Sequence, residues 1–240
     1  MPAEFDPLGP PAAPSRRLRS FELLLVLFVA FAGSVAISLY VVFSNASLYG
    51  SETSPTLNFA TVIQEIAGLG VLFYVLFRQG RRPRDLGFTF NWKDLPLSVW
   101  LAFAAVVVGI IASSLLSYGY RQATGQPLNT TPKNVEFISA GFSLWTLVVI
   151  VINPFFEELI VRAYLISEIQ SLTGSAALAV GLSVALQVTY HLYQGLTSAL
   201  LSAAIFAVFS LYYVKTKRIV PVILAHFYFD FMAVAYYWWR

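Results

Sequence analysis

The stretch Phe21–Phe43, FELLLVLFVAFAGSVAISLYVVF, carries one charged residue, Glu22, and is otherwise apolar, small or hydroxylated. As a helix it is long enough to cross the ~30 Å hydrocarbon core of a bilayer. A basic run ahead of an apolar one also describes a secretory leader, with Ala30-Phe31-Ala32 as its cleavage site. The apolar run continues well past a leader's core, so a retained first helix is expected. Working outward, further apolar runs fall at 57–77, 97–118, 140–171, 174–192, 196–214 and 219–238. The expected fold is all-α, a polytopic membrane helical bundle of about seven transmembrane helices. Residues 1–20, rich in proline and arginine, read as a disordered polar tail, and 21–240 as a single transmembrane domain.

Composition agrees with the runs. Of 240 residues, 58% are apolar and 11% charged, and mean hydropathy is +0.71. A soluble domain carries about 25% charge, so this chain would leave a soluble surface starved of it. No basic face with interleaved aromatics is present, which excludes a nucleic-acid partner. Cysteine is absent, which removes disulfides, thiolate metal sites and a cysteine nucleophile together.

The formal net charge is only +3, but the basic residues alternate along the chain. Arg16, Arg17 and Arg19 precede the first run, and the 45–56 loop has none. Arg78, Arg81, Arg82, Arg84 and Lys93 follow the second, and Lys215, Lys217 and Arg218 precede the last. The 119–138 loop holds only Arg121 and Lys133. Seven spans with a cytoplasmic N-terminus put the rich clusters inside, as the positive-inside rule requires, and leave Arg240 outside. The expected location is a bacterial cytoplasmic membrane, as a multi-pass integral protein.

Within the runs the ionisable residues are Glu65, Glu157, Glu158, Arg162, Glu168, Asp230 and both histidines, His191 and His226. Each charge costs about 2.5–3.5 kcal/mol at mid-bilayer on insertion scales, so such groups must be paired or functional. Glu158 and Arg162 stand four apart and share a helix face, where arginine grips a carboxylate well. Glu157 is then left without a local partner. The alternative is a charge cluster at a helix end. His226 and Asp230 also share a face, as an oriented pair, as ligands of a common ion, or as a buried histidine with its tautomer fixed. Gly174 reads as a turn between antiparallel helices, with Glu157 and His191 each 17 residues from it (174 − 157 and 191 − 174). Equal arms bring the two to one height; the bland alternative for His191 is interfacial packing. Pro154 is expected to kink or break the long run 140–171.

At these residues the sequence resembles the CPBP family, the type II CAAX prenyl endopeptidases and their bacterial relatives, including bacteriocin-processing and self-immunity proteins. The family pattern is E-E-x-x-x-R, then F-x-x-x-H, then H-x-x-x-N or H-x-x-x-D. Glu157-Glu158 with Arg162 match the first part, His191 the second, and His226 with Asp230 the third. Gln187 stands where the family has phenylalanine, and Val161 and Ala163 replace residues that often flank the arginine. Arg84-Asp85-Leu86-Gly87-Phe88 also looks like the family's loop after the second span. The resemblance spans roughly 57–235, with 140–235 as the catalytic core.

The resemblance implies intramembrane endoproteolysis of a membrane-tethered substrate, prenylated or leader-type. Glu157 would activate water with help from His191, while Glu158 and Arg162 brace the helix. His226 and Asp230 would face the scissile carbonyl and its oxyanion. An ionised Asp230 would repel that oxyanion, so Asp230 carries a proton, orients His226, or helps hold a metal. No cofactor is required on this reading; the alternative is a zinc-like ion on Glu157, His191, His226 and Asp230. Expected partners are membrane lipids and a membrane-anchored peptide or protein. Two other classes compete: a catalytically silent adaptor or immunity factor of the same fold, and a transporter using Glu65 as a proton relay, although no inverted repeat is visible. Helical rise puts His191 about 26 Å and His226 about 10 Å from their helix starts. A single site therefore requires the 155–192 hairpin to protrude.

Overall fold

The computed structural model describes residues 15–44, 55–126 and 143–239. Among these every regular element is helical: α1 (Arg16–Ser44), α2 (Pro55–Arg78), α3 (Asp94–Thr124), α4 (Leu144–Glu157), α5 (Leu165–Thr173), α6 (Ala176–His191), α7 (Leu196–Thr216) and α8 (Val220–Trp239). A π-helical turn, Glu158–Tyr164, joins α4 to α5, and short 3₁₀ turns lie at Pro83–Leu86 and Leu192–Gln194. Six of the resulting rods are long and apolar enough to cross a membrane, and the seventh, Val220–Tyr236, is apolar but shorter. The chain is an all-α bundle and a multi-pass membrane protein. Large apolar side chains such as Phe28, Phe77, Trp100 and Leu115 point outward, as lipid-facing residues do.

Two expectations change. The first helix starts at Arg16, inside the stretch read as a polar tail, because Ser15 Oγ accepts the Leu18 N–H and Arg19 reaches Glu168 at 2.8 Å. Apolar content marks only the lipid-crossing part of a helix, and capped, ion-paired ends run past it. Residues 1–14 of that tail, Lys133 and Arg240 lie outside the described residues. Second, Pro154 does not break its rod. Leu144–Thr173 continues through it, and the chain widens into the π turn four residues later, with Leu165 N–H donating to Ile160 C=O. Proline costs the helix only the bond to the Ile150 carbonyl, and the bonds on either side carry the rod through.

The ends are capped by local chemistry. Ser143 and Thr146 form a reciprocal capping box at the start of α4, with Thr146 N–H donating to Ser143 Oγ at 3.2 Å. Gly174, at φ 74°, closes α5 with its N–H on Gln170 C=O at 2.8 Å, and Ser175 Oγ then caps α6. Ion pairs gather the basic clusters at one pole: Arg19 and Arg81 on the fully buried Glu168, Arg78 on Glu22, and Arg218 on Asp94.

The Arg84–Phe88 loop has a structural task there. Gly87, at φ 80°, abuts the α7–α8 connection so closely that a Cβ would lie 1.9 Å from the Lys217 carbonyl oxygen. Its own carbonyl takes the Ile219 N–H at 3.2 Å. Only glycine fits, and Gly87→Ala is expected to destabilise the bundle by about 1–3 kcal/mol from backbone strain alone. Thermal unfolding in detergent reads this, and an unchanged midpoint would contradict it.

The α4–α5 rod is the centre of the bundle. α2 packs along α4, α8 crosses α4, α6 flanks the π turn and α5, and α3 backs α7 and α8. Every residue of the π turn is buried.

Candidate active site

The π turn leaves backbone carbonyls off the regular ladder, and neighbouring helices supply donors. Ser183 Oγ of α6 donates to Val161 C=O at 2.8 Å, and the Tyr213 hydroxyl of α7 lies 3.2 Å from Ala163 C=O. Val161 and Ala163, the two departures beside the arginine, are thus both fully buried and anchored through their backbones. This clamp presents Glu157, Glu158 and Arg162 to the bundle interior.

Glu158 and Arg162 pair as their spacing predicts, Nε to Oε2 at 3.2 Å, both with no exposed surface. Glu158 does more than brace the helix. Its other oxygen, Oε1, meets His226 Nδ1 at 2.7 Å. A carboxylate accepts there, so Nδ1 carries hydrogen. Nε2 of the same ring faces Asp230 Oδ1 at 3.6 Å, and Asp230 Oδ2 accepts from Asn153 Nδ2 at 3.2 Å. Asp230 is therefore placed to orient His226, one of the three roles open to it.

Glu157 is not without a partner. Its Oε2 accepts from Gln187 Nε2 at 2.7 Å, and Gln187 Oε1 accepts from Arg162 Nη1. Arginine fixes which end of the amide faces Glu157, so the carboxylate meets a donor. The substituted position is thereby a link between the ion pair and the glutamate.

His191 sits one turn further on. Its Nδ1 lies 3.0 Å from Gln187 C=O, and a carbonyl only accepts, so Nδ1 donates and Nε2 keeps its lone pair. The equal-arm expectation put Glu157 and His191 at one height; the side chain that Glu157 touches is Gln187, one turn before His191, whose Nδ1 is bonded to the Gln187 carbonyl. Fifteen residues separate Glu158 from Thr173 (173 − 158), but six separate Val220 from His226 (226 − 220). Since Glu158 and His226 touch, the α5–α6 turn lies beyond the start of α8, as a single site requires.

Phe206 of α7 holds the cluster together. The Arg162 guanidinium stands 4.3 Å over its ring, and the His226 and His191 rings lie 5.4 and 5.9 Å from it, centre to centre. Phe206, Asn153 and the linking role of Gln187 are absent from the sequence reading. The two amides carry a usable signal: each is a carboxamide inside an apolar helix, with the same need for partners as a charge.

Of the metal ligands expected from the resemblance, the structure brings part together. Among the described residues, donor atoms of Glu157, Glu158 and His226 lie within 4.8 Å of one another. In this set His226 Nδ1 and Glu158 Oε1 bind each other, which leaves His226 Nε2 and the second carboxylate oxygens as the atoms open to an ion.

Residues 139–232 match the family model described as Type II CAAX prenyl endopeptidase Rce1-like. No curated protein and no solved structure matches the chain. The matched segment takes in α4 through most of α8 and with them Glu157, Glu158, Arg162, Gln187, His191, His226 and Asp230. Through that segment the chain carries an Rce1-like domain of the CPBP and CAAX protease family.

Proposed function

We propose that the protein is an intramembrane endopeptidase that hydrolyses a peptide bond of a membrane-tethered substrate with glutamate-activated water. The observation that carries the reading is the buried Glu157 carboxylate, held by Gln187 at 2.7 Å within a segment of a protease family. Glu157 takes a proton from water as the hydroxide adds to the scissile carbonyl. His191 Nε2, left free by the Nδ1 bond to Gln187 C=O, supports that base. His226 gives its Nδ1 hydrogen to Glu158, which leaves Nε2, 3.6 Å from Asp230 and not hydrogen-bonded to it, to turn its hydrogen to the developing oxyanion. Nitrogen and oxygen donors of this set suit zinc, but the His226–Glu158 bond occupies two of them, and no step here passes through an ion. Metal analysis of the purified protein, with cleavage measured before and after chelation, tests this: full activity after chelation is expected.

The decisive experiment is cleavage by the purified protein in liposomes of membrane-anchored peptides, prenylated and unprenylated. Wild type is expected to yield products that Glu157→Ala does not and that His191→Ala yields more slowly. If neither change alters any product, the peptidase reading fails.

The basic pole, with Arg19, Arg81 and Lys217, faces the cytoplasm on this reading, of a bacterial membrane by preference. Ser171 is exposed at that pole, where its Oγ accepts from Arg19 Nη1 at 2.8 Å. A cysteine there is expected to react with an impermeant label offered from the cytoplasmic side only. Reaction from the opposite side would invert the orientation.

A further inference from the structure

Beside the three carboxylates of the site stands a buried one that the proposed hydrolysis does not use. Glu65 lies on α2, outside the matched segment, and is 4% exposed; its Oε2 has no hydrogen-bond partner. Three contacts fix how α2 lies on the α4–α5 rod. Asn58 Nδ2 donates to Thr146 Oγ1 at 3.0 Å, a Cβ on Gly68 would lie 2.6 Å from the Phe156 ring, and Arg81 pairs with Glu168. The number differences are 88, 88 and 87 (146 − 58, 156 − 68, 168 − 81), so the two rods run parallel in nearly constant register. That register sets Glu65 opposite Asn153 (65 + 88), the residue that donates to Asp230.

The other three carboxylates are engaged. Glu158 holds Arg162 and His226, Asp230 holds Asn153 and faces His226, and Glu157 holds Gln187. Glu158 Oε2 has no hydrogen bond but stands in the ion pair with Arg162, whereas Glu65 Oε2 has no hydrogen bond and no such pair among the described residues. A buried carboxyl oxygen without a partner is costly, and in a membrane interior no bulk water relieves it.

We infer that Glu65 receives the amine half of the cleaved bond, an assignment that rests on the peptidase reading. In hydrolysis the carbonyl carbon gains the oxygen of water and its bond to nitrogen breaks. The proton taken up by Glu157 passes to that nitrogen, which leaves as an amine. The amine N–H groups, released away from water, find their acceptor in Glu65.

The test uses the full chain in lipid nanodiscs, titrated calorimetrically with dodecylamine. Dodecanol, which partitions alike but carries no amine, is the control. Wild type is expected to bind dodecylamine about tenfold more tightly than Glu65→Gln, the difference between a charge-assisted and a neutral hydrogen bond. Dodecanol should bind both equally, and Glu65→Asp, which keeps the carboxylate on a shorter stem, should retain part of the preference. Equal dodecylamine binding by wild type, Glu65→Gln and Glu65→Asp overturns the assignment, even where wild type cleaves peptides. The converse result, amine binding that depends on Glu65 in a protein that cleaves nothing, removes the peptidase reading and with it the link to a scissile bond.

Discussion

Glu157→Gln is expected to lower the turnover of a membrane-tethered peptide by about 10²–10⁴-fold, the range lost with a general base. The substitution is isosteric, and the new amide oxygen still accepts from Gln187 Nε2, so the bundle and its melting behaviour should stay close to wild type. What disappears is the ability to take a proton from water. Loss of kcat with little change in KM is the signature, because Glu157 then acts on the reacting water rather than on substrate affinity. His191→Ala should cost less, since its contact with Glu157 runs through the Gln187 backbone and side chain. Steady-state kinetics in liposomes decide the matter. A Glu157→Gln protein that still turns over at the wild-type rate would move the base elsewhere in the cluster.

What was readable from residues alone follows the range of each interaction. The membrane bundle was legible because lipid imposes length and apolarity on every spanning helix, whatever it packs against. The Glu158–Arg162 pair was legible for a similar reason: four residues on one helix are neighbours before any tertiary contact forms. Helix ends were less so. Arg16 and Arg19 look like tail residues until α5, far along the chain, gives them partners in the Leu172 carbonyl and Glu168.

The site's cross-links lie beyond local rules. Glu157 meets Gln187 across 30 residues and Glu158 meets His226 across 68. Arm-length counting sets Glu157 and His191 at one height, but it does not give which side chain of α6 turns inward to meet Glu157. The second depends on how α8 crosses α4, which periodicity does not encode. Glu65 stood out as a buried charge, yet its place opposite Asn153 appears only when α2 is laid in register on the central rod.

Arg162→Met should destabilise the bundle by about 3–5 kcal/mol, the usual loss when one partner of a buried pair is removed. Arg162 has no exposed surface, and three groups lean on it: Glu158 at 3.2 Å, the Gln187 amide oxygen, and the Phe206 ring at 4.3 Å. Methionine can cover Phe206 but leaves the Glu158 carboxylate with only His226 and leaves Gln187 without its anchor. Adding Glu158→Gln to Arg162→Met removes the stranded charge, and a neutral replacement of a buried pair is often nearly neutral in stability. The double variant should therefore regain much of the lost stability, measured by reversible denaturation in bicelles. It should not regain peptide cleavage. Gln187 would be free to turn its oxygen toward Glu157, and two acceptors face to face no longer hold the carboxylate in place. Recovery of both properties would mean that Arg162 serves stability alone and that Gln187 needs no arginine to aim it.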